Sequence, residues 1–385
     1  MPQQGTGARP ASAERVLPNY GESTLADLGE SLLALLGVPG AVNAVGLPAA
    51  DRACMLVIDG LGWHLLSDNL DAAPFLASLL ADGMQLSAGF PATTATSLSS
   101  LGTGRPPGQH GLLGYQVRVP GTGQLLNALQ WDKAVDPVSW QPGSTIFERA
   151  VAGGVSAFRV AQGSFKRTGL SAAAMRGAEY RSANTLGALV AVTVDALATT
   201  RRGFVQVYTG DLDGTGHACG CTSPAWRFQL AHIDKLAEQL AHALPRGVPL
   251  YITADHGMVD VPAAGRIDAD LIPELCTGVA LLGGEPRARH VYAVPGAAGD
   301  VLAAWQETLG DRAWTVSREQ ATDEGWFGPV DDRVADRLGD VIAAARADCA
   351  VIASVTEPRE SALVGMHGSL SASDQQIPLL SYLAG

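Results

Sequence analysis

Three apolar runs that end abruptly on acidic residues constrain this chain more than any other feature: "ACMLVIDG" (53–60), "GFVQVYTGD" (203–211) and "VPLYITADHG" (248–257). A continuous apolar run of this length, without polar alternation, is the pattern of a strand buried on both faces, as in a parallel sheet. Helical spacing fills the gaps. "AAPFLASLLADGM" follows the first run and "PAWRFQLAHIDKLAEQLAHAL" follows the second. This alternation predicts a doubly wound α/β fold, with a mostly parallel central sheet flanked by helices. Ligands of such sheets gather at the carboxyl ends of the strands. Asp59, Asp213, Asp255 and His256 are expected there.

The texture changes after "TADHGMVDVP". Residues 262–360 are short elements punctuated by Gly and Pro, read as a small inserted α+β subdomain that shapes the substrate site. The core is expected over 41–261 and 361–385, the chain returning to it near "LVGMHGSLS". Residues 1–40 read as a polar leader, expected to be mobile, followed by a first helix. Apolar residues make up 47% of the sequence and charged residues 17%, which requires a buried core. The net charge of −12 argues against binding a nucleic-acid duplex. It does not exclude small phosphorylated substrates, because a bound metal can invert the local field. The longest apolar runs, such as "LGALVAVTV", fall short of the ~18 residues of a membrane span. The first residues show no apolar stretch of a secretory signal. Five cysteines, an odd number, suit a reducing compartment. The expected location is therefore the cytoplasm; oligomeric state is not readable. Cys219 and Cys221 form a close pair, but no second pair at zinc-site spacing accompanies them.

The acids and histidines at the run ends form a constellation. Asp59 ends the first run, Asp213 and His217 lie in "DLDGTGHACG", Asp255 and His256 in "TADHGM", and His367 in "GMHGS". Carboxylate oxygens and imidazole nitrogens are what Zn²⁺ takes, and six such groups suffice for two ions with open positions. Singly each is weak, since Asp before Gly is the ordinary turn former. Their joint occurrence in this order carries the inference.

The set "VIDG", "FPATTATSLSSLGTGRPPGQHG", "YTGDLDGTGH", "TADHGM" and "GMHGS" resembles the alkaline phosphatase superfamily, and within it the nucleotide pyrophosphatase/phosphodiesterase branch. The resemblance implies two divalent metal ions. One would be held by Asp59, Asp255, His256 and the nucleophile, the other by Asp213, His217 and His367. Zinc suits these ligands best and manganese is the second choice. Counting from Phe90-Pro91, the family register puts the attacking hydroxyl at Thr94, with Thr93 as second choice. Thr103-Gly104 and His110-Gly111 continue the register. The segment after Thr94 has the composition of a helix start, whose amides and dipole favour a phosphate. The activity implied is hydrolysis of a phosphate diester or pyrophosphate through a covalent phospho-threonine.

The chain departs from the family pattern in two places. Ala95 follows the nucleophile where an aromatic is common, and the phosphate-contacting Asn position falls at Tyr115, with Asn127 as a substitute. Tyr208 matches a family tyrosine near the substrate; a buried strand aromatic is the equally good plain alternative. These departures leave the metal chemistry in place and the nucleotide preference open. A phosphomonoesterase and a phosphonate hydrolase use the same core. Arg105 is the sole nearby cation for the dianion of a monoester. A catalytically dead binding protein is disfavoured by the complete ligand set, and a P-loop by the lack of its Lys-Ser/Thr.

Overall fold

A computed structural model describes residues 14–383. Its main sheet has seven strands in the spatial order Met84–Ser87, Gln376–Leu383, Pro249–Ala254, Arg52–Ile58, Gly203–Thr209, Ser156–Ala161, Glu179–Ser182. The three apolar runs are its central strands. Arg52–Ile58 pairs in parallel with both Gly203–Thr209 and Pro249–Ala254, and every residue of the latter two is buried. Only Gln376–Leu383 runs antiparallel to its neighbours. Helices flank the sheet, among them Leu25–Leu35, Thr94–Thr103, Leu186–Ala198 and Pro224–Ala243. The sheet is thus mostly parallel, as the alternation of apolar runs and helices requires. Full burial of each apolar side chain contributes about 1.5–3 kcal/mol, which explains the absence of polar alternation along these strands.

Beyond Asp260 the chain builds a second, four-stranded antiparallel sheet: Val279–Glu285, Ala288–Ala293, Val341–Ala345 and Ala313–Ser317. It packs an apolar cluster of its own around Val291, Val301, Trp305, Leu309 and Val341. The strand Arg266–Asp268 pairs in parallel with Ala350–Ile352 beside it. Gly365–Met366 then pairs with Val259–Asp260, closing the excursion next to where it began.

The stretch expected to be a mobile leader is only partly one that can be described. Residues 1–13 lie outside the described residues. Those from 14 onward are tied down: Val16 donates to the carbonyl of Leu370 at 2.8 Å. The buried hydroxyl of Tyr20 donates to the Trp326 carbonyl and accepts from the Phe90 amide, both at 3.0 Å. Aromatic burial overrides the polar composition of "ERVLPNYGES". The helix Leu25–Leu35 follows, with Asp27 accepting from both the Thr24 amide and hydroxyl at 2.9 and 2.7 Å.

Two neutral histidines fix the loop that follows the helix Thr94–Thr103 to that helix and to the second sheet. His110 accepts from the Leu112 amide on Nδ1 (3.1 Å), so its Nε2 donates to Ser100 Oγ (3.0 Å). His290 accepts from the Gly339 amide on Nδ1 (3.1 Å) and donates from Nε2 to the Leu113 carbonyl (2.8 Å). Burial, with nearby arginines, pushes their pKa values down to about 3 and about 4 respectively. Each stays neutral in the fold and takes up a proton on unfolding below its ordinary value of about 6.5. The stability they contribute is therefore present above about pH 6.5 and lost as pH falls toward the folded values. The unfolding midpoint of the wild type is expected to fall from about pH 6.5 to about pH 4. The fall should be smaller in the His110→Gln, His290→Gln double variant, as thermal denaturation across that pH range would measure.

Candidate metal centre

Asp59 is the first residue past the strand Arg52–Ile58, and Asp255 and His256 follow the strand Pro249–Ala254, so adjacent parallel strands deliver all three to one point. Asp213 and His217 arrive differently from the strand-end placement expected of Asp213. They sit four apart on the helix Asp211–Cys219, which starts just after the strand Gly203–Thr209. That spacing puts both side chains on one helix face, 3.3 Å apart between His217 Nε2 and Asp213 Oδ2. His367 follows the two-residue strand Gly365–Met366. The result is two groups, Asp59/Asp255/His256 and Asp213/His217/His367, in each of which the candidate ligand atoms lie within 4.8 Å of one another.

The groups are adjacent. The rings of His256 and His367 stack with centroids 3.6 Å apart, and His367 Nε2 lies 3.9 Å from Asp213 Oδ1. The first group is buried, whereas Asp213 and His217 are half-buried, so the second group is the more exposed of the two. Thr94 is the first residue of the helix Thr94–Thr103, and its Oγ1 lies 3.2 Å from His256 Nε2. Thr93, the helix cap, is buried; Thr94 is partly exposed.

All three imidazoles are oriented by backbone carbonyls. Nδ1 of His217 donates to Gly365 at 2.7 Å, that of His256 to Gly257 at 2.9 Å, and that of His367 to Ala92 at 2.9 Å. A carbonyl only accepts, so each Nδ1 carries the proton and each Nε2 turns toward the carboxylates. This is how proteins prepare a metal-ligating histidine. The carboxylates are equally divided. Asp255 Oδ1 accepts from the amides of Gly60 (3.1 Å) and His256 (3.0 Å), and Asp59 Oδ2 accepts from the Tyr208 hydroxyl. Asp59 Oδ1, Asp255 Oδ2 and Asp213 Oδ1 are buried with no hydrogen-bond partner. Orphaned carboxylate oxygens are costly unless a cation meets them, and each here faces an imidazole nitrogen. The residues fit divalent metal ions.

Electrostatics give the same answer. Burial, reinforced by the neighbouring carboxylates, pushes Asp255 up to about 8 and Asp213 well above the usual carboxylate range. Burial also works on Asp59, but the bond and charge of His256 outweigh it and hold its carboxyl below the usual range. For His256 burial favours the neutral form, yet Asp255 and Asp59 overcome it and raise the imidazole to about 10. His217 and His367 are lowered chiefly by burial. The cluster thus needs positive charge, held as protons until a cation displaces them.

Tight backbone geometry makes this packing possible. Gly60 has φ +76°, a conformation that favours glycine. At Gly257 a Cβ would lie 1.9 Å from the Ser373 carbonyl oxygen, so no side chain fits between Asp255-His256 and the segment Ala372–Gln375.

The remaining expected site residues are not among the two Asp/His groups. Tyr115 donates its amide to Glu285 Oε2 (2.7 Å) and its hydroxyl to Glu360 Oε1 (3.1 Å). Asn127 lies in the same hairpin, Gln116–Val119 with Gln124–Asn127, where its Oδ1 accepts from the amides of Leu129 and Gln130. These bonds run to Glu285 at the end of the strand Val279–Glu285, to Glu360 on the short helix Pro358–Ser361 and to a local turn. Tyr208 is buried against Asp59. Arg105 is exposed, and Cys219 and Cys221 belong to neither metal group. Sequence inspection missed Glu285, buried against Gly368 beside His367, and the buried pair Arg287–Asp374. Asp374 accepts from Arg287 Nε (3.0 Å) and the Ser369 amide (3.1 Å), while its own carbonyl accepts from the Gly257 amide (2.9 Å). It ties the His256 and His367 loops to the insertion.

The profile of the family described as type I phosphodiesterase/nucleotide pyrophosphatase matches residues 53–370. Among solved structures, murine ectonucleotide pyrophosphatase/phosphodiesterase 5 superposes with a TM-score of 0.67 at 18% identity, over 86% of this chain and 87% of that one. The same murine protein as an inactive threonine-to-alanine variant in complex with AMP gives 0.66 at 17% identity, over 86% and 87%. Phosphonoacetate hydrolase from Sinorhizobium meliloti 1021, in complex with phosphonoacetate, gives 0.64 at 18%, over 86% and 89%. No curated protein sequence matches the chain. No helix among the described residues is long and apolar enough to cross a membrane.

A cation that binds the folded site and not the unfolded chain stabilises the fold. Adding Zn²⁺ to metal-stripped protein is expected to raise its unfolding midpoint, by about 2.7 kcal/mol of stability at a free concentration about 100 times Kd. Asp255→Asn should shrink that increment, as calorimetry with and without zinc would measure.

Proposed function

Because the chain belongs to the type I phosphodiesterase/nucleotide pyrophosphatase family of the alkaline phosphatase superfamily, and so is a phosphoric ester hydrolase, we propose that it cleaves a phosphate diester or pyrophosphate through a covalent phospho-threonine at Thr94. The observation that carries this reading is the position of Thr94: a partly exposed hydroxyl at a helix start, 3.2 Å from His256 and bordering two carboxylate–imidazole groups. Thr93 is buried and turned into the fold. The inactive threonine-to-alanine variant of the murine relative supports a threonine in this role.

We assign one ion to Asp59, Asp255, His256 and Thr94, and a second to Asp213, His217 and His367, with Zn²⁺ the better match to these ligands and Mn²⁺ the second choice. Divalent cations there would lower the pKa of the attacking hydroxyl and of water, and neutralise charge on the phosphoryl oxygens. The chain supplies the rest. Thr94 Oγ1 attacks phosphorus, forming a Thr–O–P bond as the bond to the departing oxygen breaks, and the threonine proton leaves with that oxygen as an alcohol or phosphate. Water then attacks the same phosphorus, the Thr–O–P bond breaks, and Thr94 regains its proton. The first-turn amides of the helix Thr94–Thr103 offer donors to the phosphoryl oxygens; Thr93 makes no side-chain cap bond to them. Tyr115, half-exposed on the hairpin, and Asn127 beside it are the proposed contacts for the organic part of the substrate. The exposed position of Arg105 favours a monoanionic diester over the dianion of a monoester.

Zinc-loaded protein is expected to hydrolyse bis(4-nitrophenyl) phosphate faster than 4-nitrophenyl phosphate. Thr94→Ala should lower kcat by about a thousandfold or more at unchanged zinc content. A monoester preference would overturn the diester reading, and activity within about tenfold of wild type would overturn the nucleophile. Release of phosphate from phosphonoacetate in preference to either ester would move the reaction to carbon–phosphorus cleavage.

A further inference from the structure

Behind Asp59 lies a buried cation that the mechanism above does not use. Arg159, on the strand Ser156–Ala161, is only 2% exposed. Its Nη1 donates to Gln206 Oε1 and lies 3.2 Å from Met175 Sδ. Among the described ion pairs it has no carboxylate partner, and its Nε is unpaired. A buried guanidinium is ordinarily matched by an acid. This one instead lies over the ring of Tyr208, 5.3 Å from the centroid, with Phe165 meeting that ring edge-on from 5.7 Å.

Tyr208 connects this cation to the metal centre. Its hydroxyl donates to Asp59 Oδ2. That bond occupies one carboxylate oxygen and leaves Oδ1, without a partner, 3.3 Å from His256 Nε2. The backbone at Gly210 closes over the pair: a Cβ there would lie 3.4 Å from the Tyr208 hydroxyl and 3.7 Å from Asp59 Oδ2. Tyr208 is 6% exposed, so its ring offers little surface to a substrate. A cation over the face of a phenol is held by the ring quadrupole and makes the O–H a stronger donor.

We propose that Tyr208 is a positioning residue for the metal ligand Asp59, its hydroxyl fixing which carboxylate oxygen is presented to the ion, and that Arg159 holds and polarises the ring from behind. This rests on the assignment of Asp59 as a ligand under the proposed function, but not on which ester is cleaved. Hydrogen-bonding partners of metal ligands are worth about 10–100-fold in metal affinity when removed.

The test is Tyr208→Phe in the full chain, which keeps the ring against Arg159 and Phe165 and removes one O–H. Zn²⁺ affinity, measured by chelator competition without substrate, is expected to fall by about 10–100-fold while the metal-free protein stays folded, its unfolding midpoint lowered by the unpaired Asp59 oxygen. At saturating zinc, kcat for bis(4-nitrophenyl) phosphate should fall with KM unchanged. Affinity within about twofold of wild type, or a raised KM at unchanged kcat, would overturn the proposal and make Tyr208 a substrate wall. Arg159→Met, which keeps the packing and removes the charge, should weaken zinc in the same direction. Wild-type affinity in that variant would remove Arg159 from the arrangement. A wild type that binds zinc but cleaves no diester leaves this inference standing while the proposed function falls. A wild type that binds no zinc ends both.

Discussion

Asp59, Asp213 and Asp255 are held so close together and so far from bulk water that they cannot all ionise unless positive charge sits among them. Much of the chain is arranged around that conflict. Three imidazoles turn Nε2 inward because backbone carbonyls take the other nitrogen, and backbone amides take one oxygen of Asp255. What is left is a set of carboxylate oxygens without hydrogen bonds, gathered in two groups and faced only by the Nε2 atoms of the same histidines. Such a site costs the bare protein stability and recovers it when ions bind. Strain of this kind sits at functional centres rather than in structural cores.

The inserted sheet contributes to that centre without supplying a ligand. Arg287, on the turn between its first two strands, forms a fully buried pair with Asp374, and Asp374 in turn holds the backbone just after His367 and His256. Glu285, at the end of the strand Val279–Glu285, lies against Gly368 and takes the Tyr115 amide. The insertion is therefore fastened to the ligand loops themselves. Substitutions in it can reach the chemistry through loop position as well as through contact with substrate.

How much of this could be read from residues alone depended on how local each signal was. Asp59, Asp255 and His256 were legible because an apolar run that stops on an acid places that acid at a strand end. Asp213 and His217 were legible as candidate ligands, but their helix was not: "DLDGTGHACG" has three glycines and little helical propensity, and yet Asp211–Cys219 is helical directly after the strand Gly203–Thr209. Tyr115 and Asn127 were singled out by register, and the structure shows them tied to Glu285, Glu360 and a local turn. Arg159, Glu285, Arg287 and Asp374 carried no sequence signal. Each matters through a partner about 50 to 170 positions away, and no period or spacing encodes such pairings. The anchoring of residues 14–23 was missed for the same reason, since Tyr20 finds its partners at Phe90 and Trp326.

The spread of the ligands along the chain has a consequence for how the protein is made. Asp59 and His367 lie near opposite ends of the described chain, and only Asp213 with His217 and Asp255 with His256 are close in sequence. Closing the remaining loops is paid in chain entropy before any lone pair converges. The strand Arg52–Ile58 has its sheet partners at Gly203–Thr209 and Pro249–Ala254, so a chain made from its N-terminal end can pair it on both sides only once about 200 further residues have followed, and His367 comes more than 100 residues later still. Until then the group Asp213/His217 lacks its third member, whereas Asp59, Asp255 and His256 are already in the chain. The two groups therefore differ in when they can be completed: one needs residues up to 256, the other waits for the return of the chain to the core at His367.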